Sequence, residues 1–349
     1  MKGKGFAFRL FVASLFASYL SIVAIPIPFF KAVKADAPVL SASKAECVIE
    51  MNSRRVLYEE HGDIRLPMAS TTKILTCATV LELCNNLQTE FSIPPEAVGV
   101  EGSSVYLKAG EIYTVEDLLY GLMLRSGNDC ATALALYCSD SIANFSVQMN
   151  KVAQKAGALA SNFENPHGLP NRNHYTTARD LSFISAYAMQ HPTFEKIVST
   201  QYYEKCGWKN KNKMLYRYDG TNGIKTGYTK EAGRCLVTAA KKGDMTLICT
   251  VLNCPAMYER SAKLLDDAFS AYEYVQLLSK DKPIEIADTK ICGYVDKNYY
   301  YPLLPEERDL VEIRTKSHDK KTVNNLEIVG EFEIYLAKRL LFSGNLYKL

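Results

Sequence analysis

The 349-residue sequence lacks several common signatures, and each absence excludes a class of protein or site. It has no Cys-x-x-Cys pair, which excludes a zinc ribbon, and its five histidines form no His-Glu-x-x-His pair, which excludes that type of metalloprotease centre. It has no internal repeat and no low-complexity tract. The body of the chain has no basic block, because the net charge of +3 becomes −2 when the five positive charges before residue 35 are removed. Nucleic acid is therefore not a predicted partner.

The composition that is present is that of a globular protein. Hydrophobic residues make up 48% of the chain and charged residues 23%, which excludes a disordered, collagenous or coiled-coil chain. The mass of 39.0 kDa is too large for one ordinary small domain. We therefore expect one large domain and one small domain.

The N-terminus is predicted to be a targeting segment. Lys2, Lys4 and Arg9 precede an apolar run over residues 10–30, and small residues stand at cleavage spacing over residues 33–37. This pattern is typical of a secretory signal peptide, although a run of about 20 residues could also remain as an N-terminal anchor. Because no second run of spanning length follows, membrane contact is expected only through residues 1–35, if they stay uncleaved. Either way the body is expected to work outside the cytoplasm.

The ten cysteines allow two interpretations. Export and an even count suggest disulfides. Most of them, however, stand inside apolar runs, where free cysteine behaves as a small hydrophobic residue. The placement of most of them therefore favours buried thiols over disulfides. The ten are Cys47, Cys77, Cys84, Cys130, Cys138, Cys206, Cys235, Cys249, Cys254 and Cys292.

Hydrophobic periodicity predicts an α+β fold for the large domain. A hairpin is predicted near the start, and a helix opens after Pro67 and runs to about Leu83. Further helices are predicted over 115–125, 130–138, 145–156, 177–190 and 258–278, and strands over 46–50, 55–58, 200–205, 214–218, 234–240 and 246–252. Strands near both sequence ends with helices between them predict one antiparallel sheet flanked by helices.

A small all-β domain is predicted after Lys282-Pro283. Short alternating segments follow this dipeptide, which predicts a β-sandwich-like domain over residues 284–349. Its strands are predicted over 284–291, 309–315, 325–336 and 339–347.

The first chemical motif is Ser70-Thr71-Thr72-Lys73, at the start of the predicted helix. Residues three apart share a helix face, so the amine of Lys73 can meet the hydroxyl of Ser70. A neutral amine there would take the serine proton and create a nucleophile, provided that burial or a neighbouring cation lowers its pKa. By itself the motif fits an N-cap serine with a solvated lysine equally well.

Two further motifs follow along the chain. Ser126-Gly127-Asn128 stands in a break between predicted helices, where Gly127 permits an unusual backbone conformation. Its hydroxyl and amide could relay a proton and hold a carbonyl group. Lys225-Thr226-Gly227 stands where strand character begins, so its ammonium and hydroxyl could bind a carboxylate while glycine admits another backbone. Alone, the former also fits a helix C-cap and the latter an exposed hairpin.

The three motifs together resemble one family. Ser-x-x-Lys, Ser-x-Asn and Lys-Thr-Gly occur in this order in class A β-lactamases and penicillin-binding proteins. The segments 67–73, 124–129, 165–169 and 223–227 are similar to the serine D-alanyl-D-alanine carboxypeptidases, the low-molecular-weight penicillin-binding proteins of the S11 type. The resemblance covers roughly residues 38–280. It implies a β-lactamase/transpeptidase-like domain with a helical subdomain, followed by a small all-β domain.

The resemblance also implies a role for each site residue. The catalytic residues would be Ser70 as the acylated nucleophile, Lys73 as its base and Ser126 as the group that passes the proton to the leaving D-alanine. The substrate-binding residues would be Asn128, Lys225, Thr226, Gly227 and Tyr228. Backbone N–H groups of Ser70 and Tyr228 would form the oxyanion hole. No metal or organic cofactor is implied.

Two positions depart from or extend this pattern. Tyr228 stands where relatives commonly have histidine or serine, which puts specificity in doubt but not acylation. His167 is a tempting general base, but within Asn165-Pro166-His167-Gly168 it is predicted to order the loop.

The sequence thus predicts an extracytoplasmic enzyme that removes the terminal D-alanine from peptidoglycan pentapeptide stems. Its expected partners are these stem peptides, with β-lactams as inhibitors, and its expected place is the bacterial cell wall, secreted or membrane-associated. Two alternatives stay open. A β-lactamase would need an acid that activates water, for which Glu164 is the candidate. A catalytically inactive wall-binding protein would act through the small β domain.

Overall fold

The computed structural model describes residues 43–323 and 326–348. Its strands are β1 (Ala45–Glu50), β2 (Val56–Glu60), β3 (Glu90–Ser92), β4 (Ile112–Thr114), β5 (Tyr202–Tyr203), β6 (Trp208–Lys209), β7 (Thr221–Thr229), β8 (Gly233–Lys242), β9 (Met245–Leu252), β10 (Glu273–Leu278), β11 (Ile284–Glu285), β12 (Cys292–Gly293), β13 (Tyr299–Leu303), β14 (Val311–Val323), β15 (Leu326–Leu336) and β16 (Arg339–Tyr347). Its helices are α1 (Lys73–Leu83), α2 (Val115–Tyr120), α3 (Asn128–Ser139), α4 (Ile142–Lys155), α5 (Ala178–Met189), α6 (Pro192–Ser199), α7 (Met214–Arg217) and α8 (Met257–Ala271).

The central element is an antiparallel sheet of five strands in the order β2-β1-β9-β8-β7. Strands from the two ends of the predicted large domain lie side by side, because β1 pairs with β9. All eight residues of β9 are buried, since helices cover both faces of the sheet. This arrangement confirms the predicted sheet built from both sequence ends.

Helices complete two apolar cores. On one face α5 packs on β1 and β9, with α1 and α6 beside it, and this core continues into the helical part of the chain. On the other face α8 packs on β8 and β9. Strand β7 is the edge of the sheet, and its open side faces the turn before α1.

Local sequence fixes the helix ends that position the site. Thr114 and Asp117 form a capping box at the start of α2, and the side chain of Thr177 accepts from Asp180 N at the start of α5. After α2 the chain widens into a π-helical turn over Gly121–Arg125 and reaches Ser126. Such widened turns are frequent at functional sites.

The C-terminal part of the chain is all β, as predicted. Strands β14, β15 and β16 form an antiparallel sheet, and β10 pairs with β13. Arg55 joins this part to the main sheet, because its guanidinium contacts the carboxylate of Glu307 at 2.5 and 2.8 Å and Pro302 O at 2.7 Å. The domain boundaries at 280 and 284 stay a prediction.

Four predicted elements are wrong in part. Of the strand predicted over 200–205, only Tyr202–Tyr203 is extended in a sheet, and Glu204–Cys206 forms a 3-10 turn. Residues 214–218 are helical over Met214–Arg217, not extended, and the helix predicted to reach 278 ends at Ala271. Residues 273–278 instead form β10, whose aromatic and β-branched residues pair with β13. Of the strand predicted over 284–291, only Ile284–Glu285 is extended in a sheet.

The predicted signal peptide or anchor, residues 1–35, lies outside the described residues. Within the ranges that the structure describes, no helix is long and apolar enough to cross a membrane.

Candidate active site

The predicted nucleophile lies in a tight turn that leads into α1. Ser70 belongs to a 3-10 turn over Ala69–Thr72, and α1 begins at Lys73. The hydroxyl of Thr71 donates to Met68 O at 2.6 Å, and that of Thr72 donates to Ala69 O at 2.8 Å. These bonds satisfy carbonyl groups of the turn, so the backbone that carries Ser70 is held from within.

Lys73 reaches the nucleophile as the spacing predicts. Its Nζ lies 2.9 Å from Ser70 Oγ, 2.7 Å from Asn128 Oδ1 and 2.6 Å from His167 O. The last two oxygens are acceptors only. A neutral amine has two N–H donors and one lone pair, so it can donate to these two oxygens and accept from the Ser70 hydroxyl. The same three contacts also fit an ammonium with three donors, so burial and neighbouring charges decide which form Lys73 adopts.

Burial and neighbouring cations favour this neutral form. Lys73 is 0% exposed, and desolvation lowers its pKa well below the ordinary range. The ammonium groups of Lys225 and Lys211 lower the pKa of Lys73 further. The electrostatic condition that the sequence required for catalysis by Ser70 and Lys73 is thus present.

The second motif reaches the same cluster through Asn128. Ser126 is buried and has left-handed backbone angles (φ 65°, ψ 34°) between the π-helical turn and α3. Asn128 begins α3; its Oδ1 accepts from Lys73, its Nδ2 donates to Glu101 O at 2.5 Å, and its N–H donates to Ser103 O at 2.7 Å. The structure thus ties Asn128 directly to Lys73.

Gly127 is needed for a different reason than expected. The sequence suggested that Gly127 adopts the unusual backbone conformation, but that residue is Ser126, and Gly127 has φ −61°. A Cβ atom on Gly127 would lie 2.7 Å from Asp129 Oδ1 and 2.9 Å from Cys130 Sγ. Glycine is therefore required there by packing.

The third motif lies on the edge strand β7, directly over the nucleophile turn. A Cβ atom on Gly227 would lie 3.0 Å from Met68 O and 3.1 Å from Ser70 N, so glycine permits the close approach of the two backbones. Lys225 is buried and its Nζ donates to Thr226 O at 2.8 Å. Burial, with Lys211 nearby, lowers the pKa of Lys225 to about 7.

The remaining predicted residues lie at the more open end of the same strand. Thr226 is half-buried beside Lys225, and the side chain of Tyr228 is 65% exposed. Among the described residues no strand lies on the outer side of β7, so its backbone groups there can pair with an extended peptide. The side chain of Tyr228 is thus free to contact whatever enters.

The loop over residues 165–169 contributes in a way that sequence reasoning missed. Its contribution to the cluster is the backbone carbonyl of His167, which accepts from Lys73. The imidazole accepts from Leu169 N at 3.2 Å, which orders the loop as predicted, and burial lowers the pKa of His167 to about 3. Gly168 lies against the nucleophile turn, where a Cβ atom would meet Ala69 O at 2.0 Å.

A second missed residue is Lys211, which lies outside all three motifs. Its N–H donates to Leu124 O at 3.0 Å and its Nζ donates to Ser103 Oγ at 3.4 Å, so it borders the segment that carries Ser126 and Asn128. Its charge lowers the pKa of both buried lysines, Lys73 and Lys225. No signal in the sequence distinguishes it from the neighbouring surface lysines.

We expect Lys211→Gln to move the acid limb of the acylation rate to higher pH. The rate falls with decreasing pH when Lys73 takes up a proton and can no longer act as a base. Removing the cation at residue 211 raises the pKa of Lys73, because one of the charges that opposes its protonation is lost. The measurement is the rate of penicillin acylation against pH.

Lys209→Gln is the matched control for this shift. Lys209 is an exposed lysine two residues away, and its Nζ lies over the ring of Tyr216. The pH profile of acylation in Lys209→Gln should coincide with that of the wild type. A Lys211→Gln profile that also coincides with the wild type would show that Lys211 does not act on the base.

The arrangement supports acyl transfer through a serine. The turn before α1 and the start of α3 bring the nucleophile, its buried base and Asn128 together, and β7 packs against the same turn. Ser126 stands two residues before Asn128, at the end of the π-helical turn. Across the parts of the chain that the structure describes, no group of His, Cys, Asp and Glu side chains is arranged to hold a metal ion.

Comparison with known sequences gives one consistent result. The family model of the peptidase S11 D-alanyl-D-alanine carboxypeptidases matches residues 31–256. The D-alanyl-D-alanine carboxypeptidase DacF of Bacillus subtilis is 33% identical over 265 residues, covering 72% of this chain and 68% of its own length. The D-alanyl-D-alanine carboxypeptidase of Streptomyces sp. strain K15 is 37% identical over 240 residues, covering 61% of this chain and 82% of its own length.

Comparison with solved structures agrees. Penicillin-binding protein 5 of Haemophilus influenzae superposes with a TM-score of 0.74 at 27% identity, over 90% of this chain and 98% of that protein. Because this match extends over the all-β C-terminal part, it supports the predicted fold class as a whole. The family match covers the turn, the helices and the edge strand that carry all three motifs, and the chain therefore belongs to the peptidase S11 family of serine-type D-alanyl-D-alanine carboxypeptidases.

Proposed function

We propose that the protein removes the terminal D-alanine from peptidoglycan pentapeptide stems through an acyl-enzyme on Ser70. The observation that carries this proposal is the position of Lys73, fully buried with its Nζ 2.9 Å from Ser70 Oγ. A serine next to a buried neutral amine is an activated nucleophile. Membership in the family supplies the substrate class.

In the first step Ser70 Oγ attacks the carbonyl carbon between the two D-alanine residues while its proton passes to Lys73 Nζ. The carbonyl oxygen becomes an oxyanion, which we assign to the N–H groups of Ser70 and Tyr228. One such donor typically accounts for roughly 3 kcal/mol of transition-state stabilisation. The C–N bond then breaks, and the leaving D-alanine takes a proton that we route through Ser126.

In the second step water releases the shortened peptide. A water molecule attacks the ester carbon and gives one proton to Lys73. The bond between the carbonyl carbon and Ser70 Oγ then breaks, and Lys73 returns that proton to Ser70 Oγ. Asn128 is assigned to the substrate backbone, although in the free enzyme its side chain is engaged with Lys73 and Glu101 O. β-Lactams would acylate the same Ser70 and act as inhibitors.

The structure offers little for the β-lactamase alternative. Glu164, the candidate acid, is exposed, and its Oε1 accepts from Asn162 Nδ2 at 2.9 Å. It is thus engaged with its own loop rather than with the Ser70–Lys73 pair. A catalytically inactive wall-binding protein would not need a lysine buried beside Ser70.

The proposed place of action is the extracytoplasmic face of a bacterial cell wall, because the peptide stems are found there. The predicted signal segment over residues 1–35 is consistent with export, either as a cleaved peptide or as a retained anchor.

Mass spectrometry of purified muropeptides tests the proposal. After incubation with the protein, pentapeptide stems should lose one alanine and become tetrapeptides, whereas Ser70→Ala should leave them unchanged. Rapid nitrocefin turnover would favour the β-lactamase instead. A protein that takes no label from fluorescent penicillin and forms no tetrapeptide would favour the wall-binding alternative.

Thr226→Val is expected to reduce the preference for a free C-terminal carboxylate. A carboxypeptidase distinguishes a chain end from a chain middle by one negative charge, and the ammonium of Lys225 with the hydroxyl of Thr226 matches that charge. A charge-assisted hydrogen bond contributes roughly 1.5–3 kcal/mol, so wild type should prefer the acid over the amide roughly ten- to a hundredfold in kcat/KM.

The measurement compares a D-Ala-D-Ala peptide with its C-terminal amide in each variant. Carboxylate recognition predicts that the ratio shrinks in Thr226→Val. Thr221→Val is the matched control, since Thr221 begins the same strand and its buried hydroxyl has no partner in the described structure. Equal slowing of both substrates by Thr226→Val would show that Thr226 does not bind the carboxylate.

A further inference from the structure

One pair of cysteines differs from the rest by its contact. All ten cysteines are free thiols within the described residues, and six of them are buried in the cores. Cys84 Sγ and Cys138 Sγ lie 3.3 Å apart, and both residues are half-buried. Among the described residues this is the one contact between two sulfur atoms. The two sulfurs are thus near enough for a bond of about 2.05 Å after a small movement.

The pair stands at corresponding ends of two catalytic helices. Cys84 directly follows α1, which begins at Lys73, and Cys138 lies in the last turn of α3, which begins at Asn128. The helices already meet at their first residues through the Lys73–Asn128 hydrogen bond of 2.7 Å. Eleven residues at about 1.5 Å each place Cys84 about 16 Å along the helix from Lys73.

The surroundings of the pair admit a reagent. The two residues before Cys84 and the two after it are exposed, and Tyr137 beside Cys138 is 38% exposed. The contact with Cys138 lowers the pKa of Cys84, which makes Cys84 the better first nucleophile. The buried thiols differ in this respect, because burial raises the pKa of Cys77 and Cys249 and the core covers their sulfur atoms.

We propose that Cys84 and Cys138 form a redox-sensitive disulfide that joins the C-terminal ends of α1 and α3. The oxidant would be another disulfide, either a small soluble one or that of a thiol oxidoreductase. The thiolate of Cys84 attacks it and one thiol leaves; the thiolate of Cys138 then attacks the Cys84 sulfur and the second thiol leaves. Two electrons pass to the oxidant, and each released thiol takes up one of the two protons that the cysteines lose.

The disulfide between Cys84 and Cys138 would raise the thermal stability of the protein. It closes a loop of about 54 residues that contains α2, the π-helical turn, Ser126 and Asn128. Cross-linking a loop of this length restricts the unfolded chain strongly, and we expect the midpoint of thermal unfolding to rise by roughly 5–10 °C. The disulfide would thus restrain α1 and α3 at the ends that lie away from Lys73 and Asn128.

Peptide mapping after oxidation tests the proposal. The native full chain is incubated with oxidised glutathione and then denatured, the remaining thiols are alkylated, and the digest is analysed without reduction. We expect one internal disulfide between Cys84 and Cys138 and eight alkylated cysteines. Cys84→Ser and Cys138→Ser should each abolish the linked peptide, whereas Cys206→Ser, at another half-buried thiol, should keep it.

Thermal unfolding of the same samples gives the second measurement. The oxidised wild type should unfold several degrees above the reduced form, and the difference should vanish in Cys84→Ser. A disulfide that links other cysteines would overturn the proposal. Alkylation of both Cys84 and Cys138 after oxidation would overturn it as well, as would a Cys84–Cys138 bond that leaves the unfolding temperature unchanged.

Discussion

Lys73→Arg should lower the rate of penicillin acylation by roughly 10²–10⁴-fold although the positive charge is kept. Arginine does not give up its proton in a protein, so it cannot accept the proton of Ser70. In the wild type, by contrast, burial and neighbouring cations lower the pKa of Lys73, and its Nζ lies 2.9 Å from Ser70 Oγ. The measurement is the rate of adduct formation at neutral pH, followed by intact mass.

Lys73→Met separates loss of the base from added bulk. Lys73 is fully buried, so a guanidinium there must displace its neighbours, whereas methionine is neutral and of similar length. Both variants should lose acylation, and Lys73→Met should still unfold cooperatively. If either variant keeps a rate near that of the wild type, then Lys73 is not the base.

Gly168→Ala is expected to have the second largest effect, although the residue touches no substrate. The added Cβ would lie 2.0 Å from Ala69 O, and Gly168 has φ +89°, where side chains are strained. Strain and overlap together should lower the free energy of unfolding by about 2–4 kcal/mol. The loop must also move, which withdraws His167 O from Lys73, so acylation should fall at least about tenfold.

Gly110→Ala is the matched control for this change. Gly110 has φ +83°, but a Cβ there would meet nothing within 4 Å, so only the backbone strain is added. It should destabilise the protein slightly and leave acylation unchanged. Equal effects of the two substitutions on acylation would mean that the contact between Gly168 and the nucleophile turn has no part in the site.

The contact between Ser70 and Lys73 was predictable because the two residues are close in sequence. Ser70 and Lys73 are three residues apart, and the 3-10 turn that leads into α1 keeps them on the same side, so the 2.9 Å contact was expected from the spacing. The sheet was predictable as well, because strand patterns near residues 45–60 and 221–252 leave few other partners for one another. The family resemblance then ordered the three motifs around one site.

The parts that could not be predicted depend on contacts distant in sequence. The carbonyl of His167 accepts from Lys73, which is 94 residues away in sequence. Because every residue has a backbone carbonyl, the residue type does not show which one will bind Lys73. Lys211 acts through its charge on Lys73 and Lys225, which only the folded chain brings near. The left-handed conformation of Ser126 was assigned to Gly127, since glycine is the residue that usually adopts it.

The errors in secondary structure have a similar cause. Met214–Arg217 forms a single helical turn, too short for periodicity to distinguish it from a strand. The amphipathic pattern of α8 continues past its end at Ala271, and only the pairing with β13 makes residues 273–278 extended. In both places tertiary contacts outweigh local preference.

The most direct test of the account is intact-mass analysis with peptide mapping after penicillin treatment. The account predicts one adduct per chain, located on Ser70 and absent from Ser70→Ala, while Thr71→Ser as a neighbouring control keeps the adduct. An adduct of the same mass on Ser70→Ala, or one mapped to Ser126, would contradict the assignment of the nucleophile.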